Sequence, residues 1–245
     1  MTPTVTLAVA GRVLAQLRRD HRTVAMLLVV PCVLLTLLWW MFDGDESIFN
    51  QFGPPLLALF PFIVMFLVTS VTTLRERSSG TLERLLSMPM GKADLLIGYA
   101  LAFGAIALVQ ALVAVGLTVG LLGLEVSGPV WMLAVVAVLD AVLGTALGLF
   151  VSAFAQTEFQ AVQFMPAVVL PQLLLCGLFV ARDDLPPVLH AVADVLPLSY
   201  AVDAMNQVTV SETLSRDLAV DLLVVGGFVV AALGLGAATL RRRTA

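Results

Sequence analysis

Apolar and polar positions alternate along this chain on a coarse scale: long apolar runs, each closed by charge, glycine or proline. A helix needs roughly 20 mostly apolar residues to cross a bilayer. Six runs meet that length: Val24–Phe42, Pro54–Leu74, Leu95–Gly123, Pro129–Ala155, Phe159–Ala181 and Leu218–Leu240. Asp43-Gly44-Asp45-Glu46 ends the first, and Gly123 to Pro129 separates the third from the fourth. Gln156-Thr157-Glu158 makes a very short turn between the fourth and fifth. The first run is too long for the apolar region of a signal peptide, and no small-residue cleavage site follows it, so it reads as a span.

Finer patterns lie outside the spans. Val9, Val13 and Leu17 recur every four residues beside Arg12, Gln16 and Arg19. Residues 1–23 are thus predicted to hold an amphipathic helix on the membrane surface, its arginines in the headgroup layer. The loop 75–94 contains RERSSGTLERLLSMP. Here Leu82, Leu85 and Leu86 share one face of a short helix. Ser79 or Thr81 can cap it, and Glu83 sits in its first turn, where the helix dipole favours an anion. Gly80 permits a sharp entry, Pro89 and Gly91 end the helix, and Asp94 looks like the cap of the third span. A projecting knob and a solvated surface linker both fit that pattern.

The segment 182–217 carries Val188, Leu189, Val192, Val195 and Leu196 at helical spacing, stopped by Pro197. Ser199 is predicted to cap a second helix with Ala201, Ala204, Met205 and Val208 on one face. Each is too short to cross the bilayer, so both should dip into or lie on the outer leaflet, packed against protein. Tyr200 and Met205 are expected to face the membrane or a partner chain.

Composition agrees with a membrane protein. The chain is 60% hydrophobic and 12% charged, with a mean hydropathy of +1.03; soluble domains average roughly 45–50% and about 25%. A net charge of −4 suggests no nucleic-acid partner. Cys32 and Cys176 lie in apolar runs without metal or disulfide spacing and read as small buried hydrophobes. Lys92 is the only lysine beside twelve arginines, a bias that points to a GC-rich, bacterial genome. Eleven basic residues fall before the first span, between the second and third, or after the sixth, and only Arg182 and Arg216 fall on the other side. By the positive-inside rule both termini and the 75–94 loop are predicted cytoplasmic.

Candidate chemistry is sparse. Asp140 is the one carboxylate well inside a span, and Gly144, Gly148 and Ser152 follow it at four-residue steps. An intramembrane acid can be a hydrogen-bonded packing group at a close helix contact or can line a cavity. Gly116 and Gly120 also form a GxxxG. Pro166 and Pro171 should bend the fifth span, beside Gln160, Gln163 and Gln172; Gln163 fits a pathway or a packing role. No phosphate-cradling G-x-x-x-x-G-K-[ST] occurs, since Ala93 follows Gly91-Lys92 and Leu86 stands where the first glycine belongs. His21 and His190 are predicted on opposite sides of the membrane, so no Ser/His/Asp set forms. The chain is not expected to be an enzyme alone or to hold a cofactor.

The run Glu76-Arg77-Ser78-Ser79-Gly80-Thr81-Leu82-Glu83-Arg84-Leu85-Leu86-Ser87-Met88-Pro89 resembles the E-R-x-x-G-T-L-E-x-L-L-x-x-P signature of ABC-2 type transporter permeases. Arg19-Asp20-His21-Arg22-Thr23 before an apolar run with Pro31 resembles the family's entry to the first span. Gly177-Leu178-Phe179-Val180, Leu185-Pro186-Pro187 and the run Leu196 to Ala204 resemble its fifth-span exit and outer helices. The likeness covers essentially the whole chain and is nearest to the branch with daunorubicin-type drug exporters, although Ser78-Ser79 partly replaces the usual charged pair. It implies an all-α membrane protein of the ABC-2 (type V exporter, ABCG-like) fold: six transmembrane helices, an N-terminal interfacial helix, a cytoplasmic coupling helix and two short re-entrant outer helices. It also implies two ATP-binding subunits, which carry the ATP and Mg²⁺, and a second permease, identical or homologous. On this resemblance Glu76, Arg77, Gly80, Thr81, Leu82, Glu83, Arg84, Leu85 and Leu86 couple to the ATPase. The candidates for a translocation path or for helix packing are Asp140, Gln163, Tyr200 and Met205. The expected function is export of an amphipathic drug, lipid or similar molecule across a bacterial plasma membrane. Two other readings are an ion-coupled secondary transporter built on Asp140 and a membrane immunity or scaffold protein. The former should show repeats or broken helices with paired carboxylates.

Overall fold

The computed structural model describes residues 3–42, 46–80 and 91–239. Among them are α1 (Pro3–Arg19), α2 (His21–Met41), α3 (Glu46–Ser78), α4 (Lys92–Gly120), α5 (Val130–Ser152), α6 (Glu158–Leu175), a 3₁₀ turn (Arg182–Asp184), α7 (Pro187–Ala193), α8 (Pro197–Val210) and α9 (Arg216–Thr239). No strand occurs among the described residues. Six of the helices, α2 to α6 and α9, are long and apolar enough to cross a membrane, matching the six predicted spans.

The boundaries move for local reasons. Helix α3 starts well before Pro54 and includes Pro54, Pro55 and Pro61. Its 33 residues make it about 50 Å long, against a hydrocarbon core of about 30 Å, so one end must stand clear of the apolar layer. Helix α6 stops at Leu175 rather than Ala181, where Gly177 takes a φ of +92°. Helix α4 stops at Gly120, just before Gly123 at φ +73°. Neither Pro166 nor Pro171 interrupts α6.

Helix α5 is the most buried of the long helices and the centre of the bundle. Its small-residue stripe lies against α3. A Cβ added at Gly144 or Gly148 would run into the carbonyl oxygens of Phe62 and Phe66, so the two backbones meet only because those side chains are absent. Such close approach is how membrane helices gain packing energy without a hydrophobic driving force. By contrast, Gly116 and Gly120 have open space around them and make no such contact within the chain. Helix α4 flanks α5 on one side and α9 on another, and α2 lies against α3 and α4.

Helix α1 buries Val9, Val13 and Leu17 as the periodicity predicts, together with Thr6 and Ala10. That face rests on α4 rather than on lipid. Val9 sits over Gly98, where a Cβ would come within 2.7 Å of it, and the Thr6 hydroxyl donates to Asp94 at 3.2 Å. Asp94 caps α4 as predicted, from within its first turn: it is the third helical residue and accepts from the amide of Gly91, the N-cap, at 3.1 Å.

The outer pair departs from the predicted pattern. Helix α7 ends at Ala193, before Val195 and Leu196, and Pro197 opens α8 instead of closing α7, the first-turn position that suits a residue without an N–H. The two helices meet at 89°. Ser199 does not cap α8; its hydroxyl donates to the Leu175 carbonyl at 3.5 Å. Gln172 takes that role, its side-chain oxygen accepting the Leu198 amide at 3.2 Å while its nitrogen donates to the Val168 carbonyl. Helix α8 packs against α3, α5 and α9. Replacing Gly144 or Gly148 with valine should cost about 1–3 kcal/mol or more through overpacking. Thermal unfolding of the detergent-solubilised protein should show both variants well below the parent, while Gly116→Val stays close to it.

Candidate functional site at the charged end of α3

Helix α3 ends in Arg75, Glu76 and Arg77, the start of the motif singled out by sequence. Successive helical residues point about 100° apart, so three consecutive charges reach three different neighbours. Arg75 donates to Glu158 at the start of α6, from Nε to Oε1 at 2.8 Å and from Nη2 to Oε2 at 3.0 Å. Glu76 accepts from Arg12 of α1 through both oxygens, each at 3.1 Å. Arg77 donates to the carbonyl oxygen of Ser152, the last residue of α5, a helix end where a cation is favoured.

Arg12 is the hub of the second contact. Its Nη2 also donates to the Tyr99 hydroxyl of α4 at 2.9 Å, its Nη1 donates to Gln16, and its guanidinium lies 5.8 Å from the Tyr99 ring centre. Tyr99 is almost fully buried. The bidentate guanidinium–carboxylate contact is thus continued by a buried phenol, and α1, α3 and α4 are joined at one point. Such planar two-bond pairing is the strong form of the ion pair.

The backbone just beyond is closed by local bonds. The hydroxyls of Ser78 and Ser79 donate to the carbonyls of Arg75 and Glu76 at 3.0 and 3.1 Å. Gly80 then turns with φ +71°, a left-handed conformation suited to ending a helix. Ser78-Ser79, the departure from the family pattern, thereby satisfies the last carbonyls of α3. Thr81, Leu82, Glu83, Arg84, Leu85 and Leu86 lie outside the described residues. Of the motif's charges, Glu76 is 7% exposed and Arg77 is engaged with α5, so both are turned into the bundle.

The other sequence candidates are scattered. Asp140 is fully buried one turn before Gly144, and neither carboxylate oxygen has a hydrogen-bond partner among the described residues, so the expected hydrogen-bonded contact is not found there. Gln163 is exposed on α6. Met205 is completely buried in the chain's own core and does not face membrane or partner. Tyr200 is half-buried, its hydroxyl donating to the Asp194 carbonyl at 2.8 Å and its ring 4.4 Å from the Arg182 guanidinium. Arg182 also donates to Asp194 and to Asp203, the latter at 2.8 Å, tying the 3₁₀ turn to both outer helices. The hydrogen bond from Arg182 holds the Asp194 carboxyl below the usual range. This cluster, Arg12 and Glu158 carried no sequence signal beyond charge in a patterned segment, and Tyr99 carried none. No group of three or more metal-ligating side chains gathers among the described residues.

The family model described as ABC-2 type transporter matches residues 4–209. The chain belongs to the ABC-2 type transporter family. It is 25% identical over 182 residues to "Probable multidrug ABC transporter permease YbhS" of Escherichia coli (strain K12), covering 74% of this chain and 48% of that protein. It is 26% identical over 169 residues to "ABC transporter G family member 20" of Dictyostelium discoideum, covering 69% and 23%. "Inner membrane transport permease YhhJ" of Escherichia coli (strain K12) is 28% identical over 143 residues, 57% and 38% of the two chains. The chain spans about half or less of these relatives. Family membership and the six apolar helices make it a multi-pass membrane protein.

The two ion pairs at the end of α3 should differ in weight. Both side chains of the Arg75–Glu158 pair are more than half exposed, and such pairs contribute about 0–1 kcal/mol. Glu76 is buried, and removing one partner of a buried pair costs about 3–5 kcal/mol; Arg12 keeps 28% of its side chain exposed, so a lower figure of about 2 kcal/mol is expected. Thermal unfolding of Glu76→Ala and Arg75→Ala should therefore show the larger loss at Glu76.

Proposed function

We propose that this chain is the transmembrane permease subunit of an ATP-binding cassette exporter that moves an amphipathic drug, lipid or similar molecule. ATP is hydrolysed by a separate nucleotide-binding subunit, present in two copies beside a second permease. The observation that carries the reading is the anchoring of Arg75, Glu76 and Arg77 to α6, α1 and α5, at the point where the chain leaves α3. Residues 81–90 follow directly and are bracketed by Gly80 and by Gly91, the start of α4. A force applied to residues 81–90 by a partner would reach four helices through short contacts.

In this reading Leu82, Leu85 and Leu86 form the apolar ridge of a coupling helix, and Glu83 and Arg84 set its register in a groove of the ATPase. Glu76 and Arg77 act differently, as anchors that pass movement into the bundle. The basic side of the chain faces the cytoplasm of a bacterial plasma membrane, with both termini there. Helix α1 lies at that interface, presenting exposed Leu7 and Leu14 and the arginines Arg18 and Arg19. Helices α7 and α8 re-enter the outer leaflet, and the Arg182 cluster holds them in their bent arrangement. Helices α2 and α6 leave most of their apolar surface uncovered by the chain, which suits lipid, substrate or the second permease.

The test is co-purification of the ATP-binding subunit and substrate-stimulated ATP hydrolysis in reconstituted vesicles. Leu85→Asp should insert normally yet lose subunit retention, since truncating an apolar anchor typically costs more than about 1 kcal/mol. A Leu85→Asp protein that retains the subunit and its stimulation would reduce residues 81–90 to a linker.

A further inference from the structure

Two cavities meet at the α1 side of the bundle. One, the more polar of the two and about 320 Å³, opens between α1, α2 and α3; Val13, Leu17, Asp20, Thr23, Arg75 and Glu76 are among its lining. The other, about 350 Å³, runs between α2 and α3 and is lined by side chains such as Leu27, Val30, Val64, Leu67 and Val68. Thr23, Thr72 and Arg75 line both. The two cavities therefore adjoin, with Thr23, Thr72 and Arg75 at their junction. From Arg75 back to Ile63 the groove follows α3 for about 18 Å, close to the hydrocarbon depth of one leaflet, about 15 Å.

The charges in the polar chamber are of both signs and unequally available. Glu76 is held by Arg12 through both oxygens. Asp20 accepts from the Thr23 amide at 3.2 Å and the Thr23 hydroxyl at 2.6 Å, one bond on each oxygen. A carboxylate has about four acceptor sites, so Asp20 keeps capacity for a donor. Arg75 spends Nε and Nη2 on Glu158, and its Nη1 has no hydrogen-bond partner among the described residues. A ligand suited to this chamber carries a cationic donor for Asp20, an anionic oxygen for Arg75, and an apolar tail for the groove.

We propose that this composite cleft binds a phospholipid with a primary-amine headgroup, from the leaflet on the α1 side. The ammonium sits at Asp20, the phosphate at Nη1 of Arg75, and one acyl chain along the α2–α3 groove. A quaternary amine cannot donate a hydrogen bond to Asp20, and a glycerol headgroup brings no cation, so both fit less well. The site lies where α1 meets α3, so an occupied cleft would brace the Arg12–Glu76 contact from the lipid side.

The test uses the full-length chain, purified in detergent and incubated with equal amounts of phosphatidylethanolamine, phosphatidylcholine and phosphatidylglycerol of the same acyl chains. Native mass spectrometry reads the retained lipid. The ethanolamine lipid should be retained in preference to both others. Asp20→Asn keeps a helix-capping side chain but removes the charge, and should lower the preference about tenfold, as expected for one charge-assisted contact. Val68→Trp fills the groove and should lower retention of all three lipids. Equal retention of the three lipids, retention of none, or an Asp20→Asn protein that keeps the parental preference would overturn the proposal. No ATP-binding subunit enters this experiment, so its result is independent of the coupling assignment.

Discussion

The carboxylate of Glu76 sits 7% exposed at the end of a long apolar helix, and a charge there must be matched or it destabilises the fold. Arg12 supplies the match, and Tyr99 supplies a further acceptor for the guanidinium. The consequence is geometric. Helix α1 cannot drift over the bundle surface, because its one inward arginine is fixed between α3 and α4. The apolar ridge of α1 then closes over Gly98, an α4 position without a side chain.

Helix α3 is the strut to which this clamp is attached. It outlasts the bilayer in length, carries three prolines, and shares a glycine-lined seam with α5. Packed interiors have discrete arrangements rather than a continuous range. A seam with backbone against side-chain-free backbone favours movement of α3 and α5 as one body. In the proposed permease, Arg77 on the Ser152 carbonyl extends that body to the start of the 81–90 stretch. Asp140, one turn before Gly144 on α5, is fully buried, and its carboxylate has no hydrogen-bond partner among the described residues.

The apolar pattern made the six spans legible, because length and hydropathy decide membrane crossing almost alone. The ridge of α1 and the seam residues Gly144 and Gly148 were legible through periodicity as well. Less visible were features that depend on tertiary partners. Pro197 reads as a stop from one side and as a start from the other, and only the packing of α8 chooses. Ser199 has the right chemistry for a cap, yet Gln172, distant in sequence, takes the Leu198 amide. Met205 shares an apolar face with Ala201 and Ala204, but pattern alone does not say whether such a face meets lipid or core. The resemblance singled out Glu76-Arg77, but not their inward direction, since charges in a loop between spans are ordinarily read as solvated.

A charge swap across the clamp tests the mechanical role of Glu76 most directly. The protein would be reconstituted in vesicles with the proposed ATP-binding subunit, and transport and ATP hydrolysis measured together. Arg12→Glu and Glu76→Arg alone each place like charges in contact, and each should hydrolyse ATP with little transport. The double swap restores opposite charges at the same positions and should recover much of the transport per ATP. Transport per ATP that is unchanged in the properly folded single variants would contradict a mechanical link through this contact.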